Sequence, residues 1–229
     1  MILEGNTEAI SRPGQFVNVA IPGKYLRRPI SICDYCHENG TITLLYDVVG
    51  EGTDIMSGMK PGDNIDMLIG LGNGFNCEIP TKRPLLLGGG IGCAPLFNLA
   101  KNLKSKGIEP IVILGYNTIE DDFGFDKWFE GLGIETHTAT VDGTKGTKGF
   151  VTDVISRHNL KGDYFYSCGP MPMLKALCLS LDIPGEVSLE SRMGCGFGIC
   201  MCCSLETRDN AKRICKDGPV FRKEELIWK

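Results

Sequence analysis

Residues 194–203 read GCGFGICMCC, and one more cysteine follows in RICKDG. Cys195, Cys200 and Cys203 form a C-x4-C-x2-C pattern with Cys215 as a distant fourth, which is the plant-type ligand spacing of a [2Fe-2S] cluster. Such a cluster needs a loop that curls with three sulfurs inward and backbone N–H groups turned toward the sulfur charge. Gly194, Gly196 and Gly198 let the backbone make that curl. Zinc is the alternative metal, since four thiolates also suit it, although zinc sites usually pair one C-x2-C with another. Cys202 fits no ligand position and reads as a neighbour or as a substitute for Cys203. Cys33, Cys36, Cys77, Cys93, Cys168 and Cys178 are scattered and are expected to be structural. Cys33 and Cys36 make a lone C-x2-C pair, which cannot close a tetrahedral site.

A second chemistry-bearing stretch, RPLLLGGGIGCAPLFNLAKNLKSKGIEPIVILGYN, runs from an apolar strand through a glycine turn into a helix and a second strand. Pro95 suits a first helical turn, Leu96, Leu99, Ala100 and Leu103 fall on one face, and Gly107 is a stop. Gly88, Gly89, Gly90 and Gly92 would bring backbone N–H groups and a helix start up to a pyrophosphate. Cys93 occupies the final glycine position, so the G-x-G-x-x-G fingerprint is incomplete and a turn without ligand remains open. After the second strand come Gly115, Tyr116 and Asn117, with neither a base for a 2′-phosphate nor an immediate acid for ribose, which favours NAD over NADP. In YFYSCGPMPMLKAL, Cys168, Gly169 and Pro170 form another strand-to-helix turn, expected at the same edge of a parallel sheet.

The first eighty residues must hold something else. PGQFVNVAI, TITLLYDVVG and GDNIDMLIG alternate in part and are separated by Pro-Gly turns, as in a small antiparallel barrel. RRPISI puts Arg27 and Arg28 before a strand, and GEGTDIM puts Gly50, Gly52 and Thr53 at a helix start. Both could hold a diphosphate, the arginine as a fork and the helix through free N–H groups; the alternative for the arginines is a solvated surface pair.

Composition sets the bounds around these motifs. The chain has 229 residues, 42% hydrophobic and 23% charged, enough for more than one core. A formal charge of -4 and a pI near 5.5 give no basic field for nucleic acid. The longest apolar runs are strand-sized and the first residues lack a signal-peptide pattern, so no membrane span and a cytoplasmic location are expected. Eleven cysteines there favour metal over disulfides. DFG at Asp122–Gly124 has no accompanying kinase motifs and reads as a loop, DGTKGTKG fails phosphate-loop spacing, His37, His137 and His158 are expected in solvent, and Trp128 and Phe129 in the core.

Taken in order, RPIS, GEGT, GGGIGCAPL and SCGP resemble the ferredoxin-NADP reductase superfamily. The signature ESRMGCGFGICMCCSLE with CKDGPVF resembles, within it, the electron transfer subunits of type B dihydroorotate dehydrogenase, over nearly the whole chain. The resemblance implies an antiparallel FAD-binding β-barrel (1–80), a parallel-sheet NAD-binding α/β domain (81–184) and a small C-terminal [2Fe-2S] subdomain (185–229). It implies FAD contacts at Arg28, Pro29, Ile30, Ser31, Leu45, Tyr46, Asp47, Gly52 and Thr53, and cluster ligands Cys195, Cys200, Cys203 and Cys215. With Gly89, Gly90, Gly92, Cys168 and Gly169 these are the candidate site residues; Ser31 is expected near the flavin's reactive edge and Cys168 near the nicotinamide, both positioning rather than acting as acid or base.

The implied function is electron transfer between NAD and a partner's FMN, where dihydroorotate becomes orotate, in a heterotetramer of two plus two subunits. The flavin subunits of NADH-dependent ferredoxin:NADP reductases and of sulfide dehydrogenases share the layout, and a zinc-stabilised assembly scaffold is the reading of another class. Three departures carry expectations: Ile30 stands where the superfamily often has an aromatic residue, Cys202 where glycine is expected, and the opening strand is short, which would weaken FAD retention.

Overall fold

The computed structural model describes residues 1–228. Its first part is an antiparallel sheet of β1 (Ile2–Glu4), β2 (Phe16–Val19), β3 (Arg28–Cys36), β4 (Thr41–Leu44) and β5 (Met67–Leu71), with α1 (Glu51–Ser57) between β4 and β5. The strand order is β1-β4-β3-β2-β5. Val17, Val19, Ile32, Ile42 and Leu44 turn inward and are closed over by Met56 of α1. Leu3 of β1 and Met67 and Ile69 of β5 pack on that same core, so the two edges curl around one interior although β1 and β5 are not hydrogen-bonded to each other among the described residues. The alternation expected of a barrel is therefore present, and closure comes from side chains. Two register shifts, opposite Phe16/Asn18 and Ile32/Asp34, help the strands bend.

The second part opens with β6 (Leu85–Gly89), a 3-10 turn at Gly90–Cys93, α2 (Ala94–Ser105) and β7 (Ile111–Tyr116). It continues through α3 (Asp126–Glu130), β8 (Glu135–Thr140), β9 (Thr147–Lys148) and α4 (Val151–Arg157) to β10 (Phe165–Cys168), α5 (Met171–Ser180) and β11 (Gly185–Ser188). These strands pair parallel, with both faces apolar. Residues of α2 and α3 belong to one face's core and residues of α4 and α5 to the other's. The face expected of α2 is the buried one, Pro95 lies in its first turn, and Gly107 follows its end at a φ of 74°. Asp34 of β3 accepts from Asn98 at 2.7 Å and pairs with Lys101 at 2.6 Å, which ties α2 to the antiparallel sheet.

The chain ends with the hairpin β12 (Ser204–Glu206) and β13 (Ala211–Arg213), the short α6 (Ile214–Asp217) and β14 (Val220–Arg222). β14 returns antiparallel to β11, so the parallel sheet expected of the α/β domain gains one antiparallel edge strand from the C-terminal segment, in the order β14-β11-β10-β6-β7-β8-β9. Two small expectations need correcting. His137 is half-buried, tilted against the His158 ring at 4.9 Å between centroids, because β8 carries it under the end of α4. Trp128 is 44% exposed, and only Phe129 reaches the core. No helix among the described residues is long and apolar enough to cross a membrane.

Candidate functional site

Where the antiparallel sheet meets the α/β layers, a cavity of about 450 Å³ opens. Arg28, Pro29, Ile30 and Ser31 of β3 form one wall; Leu45, Tyr46, Asp47 and Thr53 form another. The chain leaves β4 after Leu44, so Leu45–Asp47 are carried over the opening instead of prolonging the strand. Gly52 does not line the cavity but makes room for Arg28: a Cβ there would come within 2.5 Å of Nε. The Thr53 hydroxyl accepts from the amide of Val49 at 3.0 Å and holds the turn into α1. Of the remaining lining only Gly92 was anticipated: Ser188 at the end of β11, Glu190 and Met193 just past it, and Pro219 were not. Their one sequence signal is position, since the carboxyl ends of parallel strands are where ligands gather.

A second cavity, of about 880 Å³, lies at that carboxyl edge. Gly89, Gly90 and Ile91 form its floor, Gly115, Tyr116 and Asn117 one side, and Phe150, Val151 and Thr152 at the start of α4 another. Glu120 and Asp121 also line it, four and five residues past the end of β7, and no lysine or arginine does. The acids absent right after β7 are thus supplied by the following turn, and a 2′-phosphate would find no cation among the lining residues. Asp47 and Ile91 line both cavities, so the two adjoin.

Cys168 and Gly169 line neither cavity. Cys168 is 2% exposed, and burial pushes its thiol far above the ordinary range, keeping it protonated. Their backbone nevertheless shapes the edge. β10 and β6 run side by side with Cys168 opposite Gly88, and a Cβ on Gly92 would stand 2.6 Å from the Cys168 carbonyl and from Cα of Gly169. Gly92 therefore lets two strand ends close on each other.

The cysteine loop packs behind the first cavity. Cys195 and Cys200 stand together, with the Cys195 amide 3.4 Å from Cys200 Sγ and the Cys200 amide 3.5 Å from Cys195 Sγ. The Ile199 amide adds a 3.3 Å contact to Cys195 Sγ. Burial opposes ionisation of Cys195, yet the N–H groups of Cys200, Phe197 and Ile199 hold its thiol down to about 6. Cys203 and Cys215 form a second pair, the Cys215 amide donating to Cys203 Sγ at 3.4 Å, and both are buried in the core that includes Phe16 and Phe221. Burial and the neighbouring Cys203 push the Cys215 thiol up to about 12. Cys202 points elsewhere, toward the carbonyl of Arg192.

Two adjacent sulfur pairs, each met by backbone donors, fit a cluster that offers one iron to each pair.

The sequence compares closely with known proteins. Residues 190–227 match the iron-sulfur cluster binding domain of dihydroorotate dehydrogenase B. The NAD-linked dihydroorotate dehydrogenase B electron transfer subunit of Fusobacterium nucleatum is 45% identical over 233 residues, covering 96% of this chain and 89% of its own. That of Geobacillus sp. (strain WCH70) is 44% identical over 237 residues, covering 99% and 91%. Among solved structures, an NADH-dependent reduced ferredoxin-NADP oxidoreductase aligns with a TM-score of 0.86 at 34% identity, covering 97% of this chain and 82% of that one. The cytochrome b5 reductase domain of Ulva prolifera nitrate reductase, at 20% identity and TM-score 0.59, shares the fold. By sequence over almost its full length, the chain belongs to the family of dihydroorotate dehydrogenase B electron transfer subunits.

Proposed function

We propose that this chain carries FAD in the smaller cavity, takes NAD in the larger and holds a [2Fe-2S] cluster on Cys195, Cys200, Cys203 and Cys215, passing electrons between NAD and a catalytic partner subunit. The observation that carries this is the adjacency: the two cavities meet at Asp47 and Ile91, and Met193, two residues before Cys195, lines the smaller one. Nicotinamide exchanges two electrons as hydride, a [2Fe-2S] centre one at a time, and a flavin both, so the flavin belongs in the middle.

Arg28 offers a cation to the flavin diphosphate. Ser31, opposite Phe16 in the β2–β3 ladder, faces the cavity and orients the ring. Gly89 and Gly90 give backbone access to the NAD pyrophosphate, Gly92 with Cys168 and Gly169 keeps the two strand ends together beneath it, and Glu120 and Asp121 favour unphosphorylated ribose. Leu45–Asp47, Gly52 and Thr53 complete the flavin side as the turn that closes on it.

The partner carries FMN and oxidises dihydroorotate to orotate, the complex contains two subunits of each kind, and it works in the cytoplasm. Residues 1–80, 81–184 and 185–229 act as the FAD, NAD and cluster units. A second reading, the FAD/[2Fe-2S] subunit of an NADH-dependent ferredoxin-NADP oxidoreductase, is favoured by the 0.86 TM-score alone. Anaerobic purification tests both. Flavin bands and an iron-sulfur envelope that bleach with NADH, and an FMN-bearing partner that turns dihydroorotate into orotate, are the expected outcomes; a partner rich in [4Fe-4S] clusters supports the second reading, and a colourless zinc protein refutes both.

A further inference from the structure

Asn18 of β2 is 1% exposed and occupies the same strand face as Phe16. Phe16 lines the smaller cavity, as does Pro29, the residue paired with Asn18 across the ladder. Rather than staying within the sheet, the Asn18 carboxamide reaches out of it: Nδ2 donates to the carbonyl of Cys195 at 3.1 Å, across 177 positions of chain. The loop is shaped to receive it. Gly196, at a φ of 80°, would with a Cβ stand 2.4 Å from Nδ2. The strand beneath is anchored as well, since Arg27 donates to the Asn18 carbonyl at 3.4 Å and is itself paired with Asp66 at 2.8 Å.

Asn18 Oδ1 is buried without a partner among the described residues. A half-satisfied amide in a core costs free energy that an apolar side chain would avoid, so stability does not explain the residue. Asn73, on the other side of the same junction, makes the contrast: its amide donates to the Val220 carbonyl at 2.8 Å and its Oδ1 accepts from the Val220 amide at 3.1 Å, both ends used.

We propose that Asn18 is a positioning residue for electron transfer: by gripping the Cys195 carbonyl from the strand whose Phe16 lines the flavin cavity, it fixes the cysteine loop relative to that cavity. The inference rests on the function proposed above. The step it governs moves one electron and no atoms, from reduced flavin to cluster. Two such transfers carry the pair that NADH delivers as hydride, and the accompanying proton leaves to solvent.

The full chain, purified anaerobically with its FAD and iron, is mixed with NADH while flavin bleaching and cluster reduction are followed separately; frozen samples give the EPR spectrum and midpoint potential. Asn18→Ala is expected to bleach its flavin at the wild-type rate and to reduce its cluster about ten- to a hundredfold more slowly, the scale of a misplaced reacting group, with FAD and iron contents unchanged and the EPR signal altered. Asn18→Ser, smaller but still a donor, is expected to fall in between, and it serves alone should the alanine variant not fold. Wild-type cluster reduction in these variants overturns the inference. So does an equal slowing of flavin and cluster, or loss of iron, either of which makes the contact structural. A wild-type protein whose iron NADH never reduces overturns the functional reading instead, before any variant is compared.

Discussion

Arg28 is held at the edge of the smaller cavity by two neighbours, the Leu26 carbonyl at 2.7 Å from Nη1 and the bare face of Gly52. Gly52→Ala would push the guanidinium aside and Arg28→Ala would remove it. Each is expected to weaken FAD binding by about ten- to a hundredfold, the scale of one charge-assisted hydrogen bond, read as flavin fluorescence released on dilution. The cysteines allow an equally direct check. Because Cys202 turns toward Arg192 while Cys203 pairs with Cys215, Cys202→Ser should keep its full iron content and Cys203→Ser should lose it. Iron lost from Cys202→Ser but kept in Cys203→Ser would move the ligand assignment to Cys202. The residue types and the spacing that favours Cys203 were legible in the sequence; that Cys202 turns away was not, since it depends on which sulfur the loop turns inward.

Among the elements, the glycine turn of β6 and the helix α2 were readable because their signals are local: a strand-sized apolar run, a proline in the first turn, a single buried face. The end of β4 was not, because Leu45–Val49 remain apolar enough for a strand and only the cavity they cover explains their departure. The connection into the α/β layers depends on Asp163, whose carboxylate accepts from the Thr81 hydroxyl and from the amides of Lys82 at 2.7 Å and Arg83 at 3.3 Å. Although partial burial opposes it, these bonds hold the Asp163 carboxyl below its usual range. A depressed carboxyl contributes stability that is present above its unfolded value, about 3.9, and is lost as pH falls through the folded one. In denaturant titrations Asp163→Asn is therefore expected to be less stable than wild type by about 0.5–1 kcal/mol near neutrality, solvent screening of this exposed carboxylate keeping the effect small, with the difference holding down to about pH 5 and narrowing on further acidification. A difference independent of pH would discount the carboxylate's charge.

At the scale of the whole molecule, one end of the cysteine loop is buried and the other is open. Cys203 and Cys215 lie in the core, whereas Phe197, Ile199 and Met201 are 46%, 75% and 54% exposed around the solvent-facing Cys200. Contiguous exposed apolar side chains beside a redox centre suit the surface on which a catalytic partner docks. Ile199→Asp is expected to weaken association with the partner by about tenfold or more, measured by co-purification and by loss of dihydroorotate-driven NAD reduction, with FAD and iron contents unchanged. An unaltered complex would place the docking surface elsewhere.

The sequence by itself determined which chemistry is present, because ligand type, ligand spacing and turn-forming residues act within a few positions of one another. It specified four cysteines at cluster spacing, a glycine turn before a helix, and an arginine beside a strand-borne serine. Only the tertiary structure decided how these meet: the end of β11 brings Ser188 and the following Glu190 to the cavity that Ser31 lines, β14 adds an antiparallel edge to a parallel sheet, and Asn18 meets Cys195. Such contacts depend on which distant faces meet, and although periodicity marks a buried face, it does not say what that face packs against.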